Sequence, residues 1–265
     1  MKKVAIVSGA SSGIGRETAV MLTKGGYTVY AFNRKQTEIA GVEFVPVDVA
    51  KIDTIQQGVA AVLAREGRID LLVNNAGMGI SGALENTPDE SAAYIFDVNF
   101  FGAFRLAREV IPTMRENGGG RIINVSSLAA VFNLPFQGFY SASKAAVNSL
   151  FISMQLEVKP FNIKITNVMP GDIKNGFTDN RKKNDLVNPA YRDRIKKSVA
   201  IMEKDEVNGM PPTAVARVIV RQAKSNKPKF AVVVGFKYKF LFMLSKLLPA
   251  GLVNNIIYSI YGGGK

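Results

Sequence analysis

The stretch that constrains this chain most is its beginning. Residues 3–8, Lys-Val-Ala-Ile-Val-Ser, are rich in β-branched side chains and read as a short buried strand. Gly9-Ala-Ser11-Ser12-Gly13-Ile14-Gly15 follows at once, and then a helical pattern through Ala19, Met21 and Leu22. Strand, glycine-rich turn and helix in that order leave few folds open. The glycines allow a tight turn and the close approach of a pyrophosphate, whose charge the free N–H groups of the helix N-terminus would face. Gly9, Ser11, Ser12, Gly13, Ile14 and Gly15 are therefore the first candidate cofactor residues. The spacing is G-x-x-x-G-x-G, one residue longer than G-x-G-x-x-G, and the flanking elements favour a nucleotide turn over a plain glycine-rich loop.

The same alternation continues. Residues 27–32, 42–49, 69–73, 122–126, 163–169 and 230–234 read as further strands, and residues 52–65 and 211–223 as helices. Strands alternating with helices predict an α/β chain with a Rossmann-type, doubly wound, mostly parallel sheet and right-handed crossovers. No repeat or second domain is evident, so we expect one catalytic domain over residues 1–235 and an apolar, basic extension of it over residues 236–265. Residues 172–210 are polar, charged and without clear periodicity. A connection of that length is expected to be a functional lid or disordered.

The second strand ends in Asn33-Arg34-Lys35. A dinucleotide with a free 2′-hydroxyl usually meets a carboxylate there. A guanidinium instead suits a 2′-phosphate, so the expected cofactor is NADP(H), with Asn33 and Arg34 beside it.

Composition removes several chemistries. There is no Cys, which excludes disulfides, Cys-ligated metals and thiol nucleophiles, and no His, the commonest general base and metal ligand. No metal site is expected, and proton transfer falls to Tyr, Lys, Ser or carboxylates. The net charge of +13 is uneven: residues 1–158 hold fourteen basic and fourteen acidic side chains, residues 159–265 twenty and seven. This excess suits an anionic ligand or membrane surface as well as a solvated face. No recognised nucleic-acid motif accompanies it, so nucleic acid is not an expected partner. The apolar run after Lys2-Lys3 is too short for a signal peptide and no run is long enough to span a bilayer, so a cytoplasmic protein is expected.

Proton chemistry points to Tyr140-Ser-Ala-Ser-Lys144. Four residues apart on a helix, the phenol and the ammonium share one face. A close positive charge is expected to lower the phenol pKa from about 10 and make Tyr140 a general acid or base. Ser127 follows the fifth strand, at the sheet edge where ligands bind, and its hydroxyl can hold a carbonyl oxygen as charge develops.

Taken together, Ser8-Gly-Ala-Ser-Ser-Gly-Ile-Gly15, Asn74-Asn-Ala-Gly77, Tyr140-Ser-Ala-Ser-Lys144 and Pro170-Gly171 resemble, in order and separation, the short-chain dehydrogenase/reductase family over about the first 175 residues. The resemblance implies that Tyr140 is the acid/base and that Lys144 lowers its pKa and holds the nicotinamide ribose. Its serine, thirteen residues before the tyrosine, selects Ser127 over Ser126. Asn99 matches the helix asparagine that anchors a proton-relay water. Asp48 and Val49 would face the adenine, Asn75, Ala76 and Gly77 would line the cofactor, and Pro170, Gly171 and Ile173 would lie by the nicotinamide. Two positions depart from the pattern: Ser12 stands where a cation often precedes the second glycine, and Asn175 where a threonine often follows Pro-Gly.

Met78, Leu134, Phe136 and Phe177 are candidate substrate-pocket residues. The expected reaction interconverts a ketone and a secondary alcohol on a small lipophilic molecule such as a steroid or related lipid. The tail is similar to those of steroid- and retinoid-type members. A 3-oxoacyl-thioester reductase and a non-catalytic NADP(H) sensor are the alternatives. A homodimer or homotetramer through the helices carrying Asn99 and Tyr140 is implied by resemblance alone. In the tail, Phe236, Phe240, Met243, Leu244 and Leu247 fall on one side of a helix away from Lys239 and Lys246, and a second apolar stretch follows Pro249. Residues 236–261 are expected either to pack on the protein or a partner subunit, or to make peripheral contact with an anionic membrane.

Overall fold

The computed structural model describes residues 2–174, 181–184 and 188–263. Its strands are β1 (Val4–Ser8), β2 (Thr28–Asn33), β3 (Val42–Pro46), β4 (Leu71–Asn74), β5 (Ile80–Ser81), β6 (Gly120–Val125), β7 (Ile163–Pro170), β8 (Lys182–Lys183) and β9 (Ala231–Val234). Seven of them form one parallel sheet in the order β3-β2-β1-β4-β6-β7-β9, and β5 pairs with β8 at one side. The helices are α1 (Gly13–Lys24), α2 (Ile52–Glu66), α3 (Asp89–Phe96), α4 (Gly102–Glu116), α5 (Gly138–Val158), α6 (Arg192–Val207), α7 (Pro212–Lys224), α8 (Phe236–Leu247) and α9 (Ala250–Tyr261).

The apolar run of β1 is continuous because both faces of the sheet are covered. Val4 and Ile6 enter a core with Ile55 and Val59 of α2, Leu106 and Val110 of α4 and Phe151 of α5. Ala5 and Val7 point the other way, into a core with Leu22 of α1 and Val215 and Ile219 of α7. Fully burying one such side chain contributes about 1.5–3 kcal/mol, so α1, α2, α4, α5 and α7 are held mainly by their apolar stripes. The sheet runs outward in both directions from β1 and β4, and that reversal opens a crevice at the carboxyl ends of the strands.

The region expected to lack periodicity is the main departure. Residues 192–207 form α6, with Ser198, Val199 and Met202 buried. Ile195, Val199 and Met202 do recur at helical spacing, but the stripe is narrow and is flanked on both sides by charged residues. The helical run before α4 is also interrupted: residues Asp97–Phe101 form a π-helical turn that joins α3 to α4. Such bulges recur at functional sites.

Candidate active site

At the carboxyl edge of the sheet lies a cleft of about 1120 Å³. One end is built by the glycine-rich turn. Gly9 (φ +66°) and Gly13 (φ +54°) are left-handed, and a Cβ on Gly9 would sit 2.8 Å from the Cα of Ala76. The turn is clamped to the chain after β4, where Asn75 Nδ2 donates to the carbonyls of Ser8 (3.1 Å) and Gly9 (2.9 Å). Ser8 Oγ in turn accepts the N–H groups of Asn75 and Ala76. Gly9, Ser11, Ser12, Gly13, Ile14, Asn33, Arg34, Asp48, Val49, Asn75, Ala76, Gly77, Pro170, Gly171 and Ile173 all line the cleft. Gly15 does not: a Cβ there would lie 2.3 Å from the carbonyl oxygen of Gly9, so it serves the close packing of α1 beneath the turn.

The other half of the cleft holds the chemistry. Ser127 is extended (φ −159°) and opens a short 3₁₀ turn, its hydroxyl accepting the N–H of Ala129 at 3.1 Å. Tyr140 and Lys144 stand one turn apart near the start of α5 and line the same cleft. Lys144 Nζ donates to the carbonyl of Val125 at the end of β6, 2.9 Å away, and lies 5.9 Å from the centroid of the Tyr140 ring. Burial pushes the Tyr140 phenol up to about 12, opposed by its hydrogen bond with Ser127. Burial likewise pushes the Lys144 ammonium down to about 8. The expectation that Lys144 depresses the phenol therefore does not describe the protein alone. Desolvation is the largest influence on the phenol, and one N–H of the ammonium is given to a carbonyl.

Other candidates are placed differently. Asn99 is buried in the π turn and does not reach the cleft. Its Oδ1 accepts the N–H of Met78 (2.8 Å), and its Nδ2 donates to the Met78 carbonyl and to Ser143 Oγ (3.0 Å each). Ser143 Oγ donates to the carbonyl of Tyr140, so Asn99 ties the loop after β4 to the turn carrying Tyr140. Met78 and Leu134 line the cleft, but Phe136 does not. Held at φ +62°, Phe136 turns its ring to Tyr191 and to the Arg194 guanidinium, 5.7 Å from the ring centroid. Phe177 and Asn175 lie outside the described residues.

Sequence reasoning missed middle-chain residues such as Tyr94, Val98, Phe132 and Gln137, and most of a wall from late in the chain. Met202, Asp205 and Glu206 of α6, Lys237, Tyr238, Leu241, Leu244, Ser245 and Leu248 in and just after α8, and Val253, Ile256, Ile257, Ile260 and Tyr261 of α9 complete the wall. Leu244, grouped in the sequence analysis with Phe236, Phe240, Met243 and Leu247, lines the cleft, whereas those four do not. Two phenols fasten this wall: Tyr238 donates to Asp172 Oδ2 at 2.7 Å and Tyr261 to Asp205 Oδ2 at 2.8 Å. Burial and these carboxylates hold both phenols well above their ordinary pKa. Glu206 pairs with the buried Arg181, and both charges act on Tyr140. Seven aliphatic side chains of the tail, Leu241, Leu244, Leu248, Val253, Ile256, Ile257 and Ile260, line the cleft, and their recurrence at helical spacing within each helix was the available signal.

A family model described as short chain dehydrogenase matches residues 3–186. A 3-ketodihydrosphingosine reductase of Bacteroides thetaiotaomicron is 42% identical over 263 residues, covering 98% of this chain and 98% of its own. An NADPH-dependent 1-acyldihydroxyacetone phosphate reductase of Saccharomyces cerevisiae is 32% identical, over 95% of this chain and 90% of its own. Among solved structures, a short-chain dehydrogenase from Streptomyces avermitilis has a TM-score of 0.82 at 31% identity, over 93% of each chain. The match runs from β1 through the turn, the serine and the tyrosine–lysine pair, and with it goes an oxidoreductase chemistry on carbonyls and alcohols: the chain belongs to the short-chain dehydrogenase family.

Proposed function

We propose that this protein is an NADP(H)-dependent reductase that converts a ketone on a long-chain lipid into the secondary alcohol. One observation carries the reading: Ser127 and Tyr140 open onto the same cleft as an apolar wall supplied by α8 and α9. A small polar ketone has no use for that wall, whereas an alkyl chain does. A relative named as a 3-ketodihydrosphingosine reductase, alike from end to end, supports a ketone of the long-chain base type over a steroid.

The nucleotide end fits a dinucleotide. Ser12 makes no side-chain cap on α1, leaving N–H groups of the first turn to a ligand. Asn33, 4% exposed, lines the cleft, and neither of its amide atoms has a hydrogen-bond partner among the described residues. Arg34 is exposed at the cleft edge, its Nη1 3.3 Å from the Tyr94 hydroxyl, where it would meet a 2′-phosphate. A Cβ on Gly77 would come within 3.3 Å of Lys144 Nζ and 3.2 Å of Asn99 Oδ1, a close approach that the glycine avoids.

When bound, NADPH supplies the hydride that reaches the carbonyl carbon. Ser127 holds the carbonyl oxygen, and Tyr140 gives it a proton as negative charge develops there. A phenol held near 12 is fully protonated at neutral pH, the state that reduction needs. Lys144, with Nζ near Gly77, would hold the nicotinamide ribose and stabilise the phenolate left behind. Asn99 acts by positioning the turn of Tyr140.

Pairing of copies through α4 and α5 is supported by exposed Ile152 and Leu156 on α5 and by Phe101 and Phe161 at the ends of the two helices. Light scattering after gel filtration should give twice the chain mass or more. The activity is tested by following NADPH oxidation with 3-ketodihydrosphingosine, a steroid ketone and a 3-oxoacyl thioester. Turnover with the long-chain ketone at a kcat/KM at least about tenfold above the other two is expected. Preference for the thioester, or NADPH binding without turnover of any carbonyl, would overturn the reading.

A further inference from the structure

α8 and α9 are unlike the rest of the fold. Both are rich in apolar side chains, yet neither contains a buried residue. At 3.6 residues per turn, Lys237, Tyr238, Leu241, Leu244 and Ser245 fall on one side of α8, the side that lines the cleft. Phe236, Phe240, Met243 and Leu247 fall on the opposite side and stand 88%, 59%, 64% and 80% exposed. A helix apolar on both sides belongs in a core or in lipid. Twelve residues are also too few for stability in water without packing.

Two further observations say what covers this face. Leu241, Leu244, Ile256 and Ile260 line the cleft and are themselves exposed, so its apolar wall runs out through the mouth toward the outer side of the helices. Closer on the wheel of α8 than the sequence analysis had them, the exposed Lys239 and Lys246 stand along one border of the outer row, on the Met243 side, and after Glu206 the chain contains no Asp or Glu. Apolar rows edged by cations, with no carboxylate near in sequence, complement an anionic bilayer surface. A second copy fits worse. Two-fold pairing through this face would bring Lys239 and Lys246 toward their own equivalents, and neither helix has an acid to meet them.

We propose that α8 and α9 form a foot that lies in the interface of an anionic membrane, with Phe236, Phe240, Met243 and Leu247 embedded and the mouth of the cleft opening onto the lipid. No helix among the described residues is long and apolar enough to cross a membrane, so the foot lies on the bilayer rather than through it. A lipophilic substrate would then pass from the bilayer between Leu241, Leu244, Ile256 and Ile260 without crossing water. That route rests on the activity proposed above, whereas the docking surface does not.

Sedimentation with vesicles tests it. The full chain should pellet with vesicles of equal phosphatidylcholine and phosphatidylglycerol at low salt, several-fold less at high salt, and weakly with phosphatidylcholine alone. Phe236→Ser/Met243→Ser/Leu247→Ser should lower the partition coefficient at least about tenfold. Lys239→Gln/Lys246→Gln should lower it about fivefold or more, on anionic vesicles only. None of the five residues lines the cleft, so both variants should keep wild-type NADPH oxidation on a short, water-soluble ketone. Wild-type protein left in the supernatant at every salt concentration overturns the proposal, as does a triple variant that binds like wild type. A vesicle-free assembly in analytical ultracentrifugation that the triple variant dissolves also overturns it, since the face is then a contact between copies. Vesicle binding as described in a chain that turns over no ketone upholds the docking surface and sinks only the proposed activity.

Discussion

The turn at Gly9 and the wall made by α8 and α9 border the same cleft but are built on opposite rules. At the turn the backbone itself is the recognition surface. Gly9, Gly13 and Gly15 are fixed by left-handed φ or by contacts of 2.3–2.8 Å that a Cβ would violate, and the polar clamps from Asn75 and Ser8 are all short. At the wall the backbone is ordinary helix, and the surface is a set of side chains, any of which another apolar residue could replace with little cost. The first kind of site is tied to a rigid, unvarying ligand. The second is suited to alkyl chains, which present no polar group to register against. Its cost is an apolar surface that the chain does not cover itself.

The largest break in this comparison should come where the two regions meet. Tyr140→Phe removes the proton donor and leaves both the turn and the wall in place. Because no His exists to substitute, kcat should fall by at least about 10²–10⁴-fold, with NADPH affinity nearly unchanged by fluorescence titration. Near wild-type turnover would mean that neither region surrounds the reacting atoms as described. Next in size is Arg34→Ala at the nucleotide end. A charge-assisted hydrogen bond contributes about 1.5–3 kcal/mol, or roughly ten- to a hundredfold in affinity. That loss should appear for NADPH and not for NADH, and an equal loss for both would make Arg34 structural.

pH sharpens the comparison at the catalytic end. With the phenol raised to about 12, its protonated form dominates across neutral pH and its deprotonated form is scarce. Ketone reduction needs the first and alcohol oxidation the second. Reduction should therefore stay flat from pH 6 to 8, while oxidation rises with pH by up to about tenfold per unit until the phenol of the cofactor complex titrates. Lys144, lowered to about 8, loses its charge above that value and so should blunt the rise on the alkaline side. Lys144→Met should remove the blunting and lower oxidation throughout. Equal pH profiles in the two directions would argue against Tyr140 as the group that gains and loses the proton.

The contrast also explains what could be read from the sequence. The sheet, its alternation with helices and the residues of the turn follow from local rules, since β-branched runs and glycines at steric choke points leave a mark at fixed spacing. Ser127, Tyr140 and Lys144 were legible because a serine at a strand end and an i, i+4 pair converge on one edge of the sheet whatever the surroundings. Asn99 was singled out, but its hydrogen bonds to Met78 and Ser143 were not legible, because the π turn that buries it depends on packing between α3, α4 and α5. Phe136 was read as a pocket residue by its apolarity alone, and no local pattern reports that Gly82 and Arg194 hold it elsewhere. The wall was least legible. Asp172 and Tyr238, or Asp205 and Tyr261, are 66 and 56 residues apart, and nothing in either segment names its partner.

The smallest expected effect tests whether the wall is as separate from the chemistry as its construction implies. Tyr238 lies over Gly171, where a Cβ would come 2.4 Å from the ring, and its hydroxyl holds Asp172. Tyr238→Phe keeps the ring and removes that hydrogen bond. Asp172, already raised by burial and by the nearby Asp205, would rise further without the donor that opposes them. A hydrogen bond to a charged group contributes about 1.5–3 kcal/mol at most, and the lower end applies to a phenol that is only half-buried. Thermal stability should drop by a few degrees. α8 would be held less closely, and KM for a long-chain ketone should rise about three- to tenfold while kcat on a short ketone stays within twofold of wild type. Tyr261→Phe should do the same through Asp205, more weakly because it fastens only the last turn of α9. These splits run opposite to that of Tyr140→Phe, which lowers kcat and spares binding. If Tyr238→Phe instead lowered kcat equally on short and long ketones, the ring over Gly171 would be setting the geometry of the reacting centre, and α8 would belong to the catalytic floor rather than to a replaceable wall.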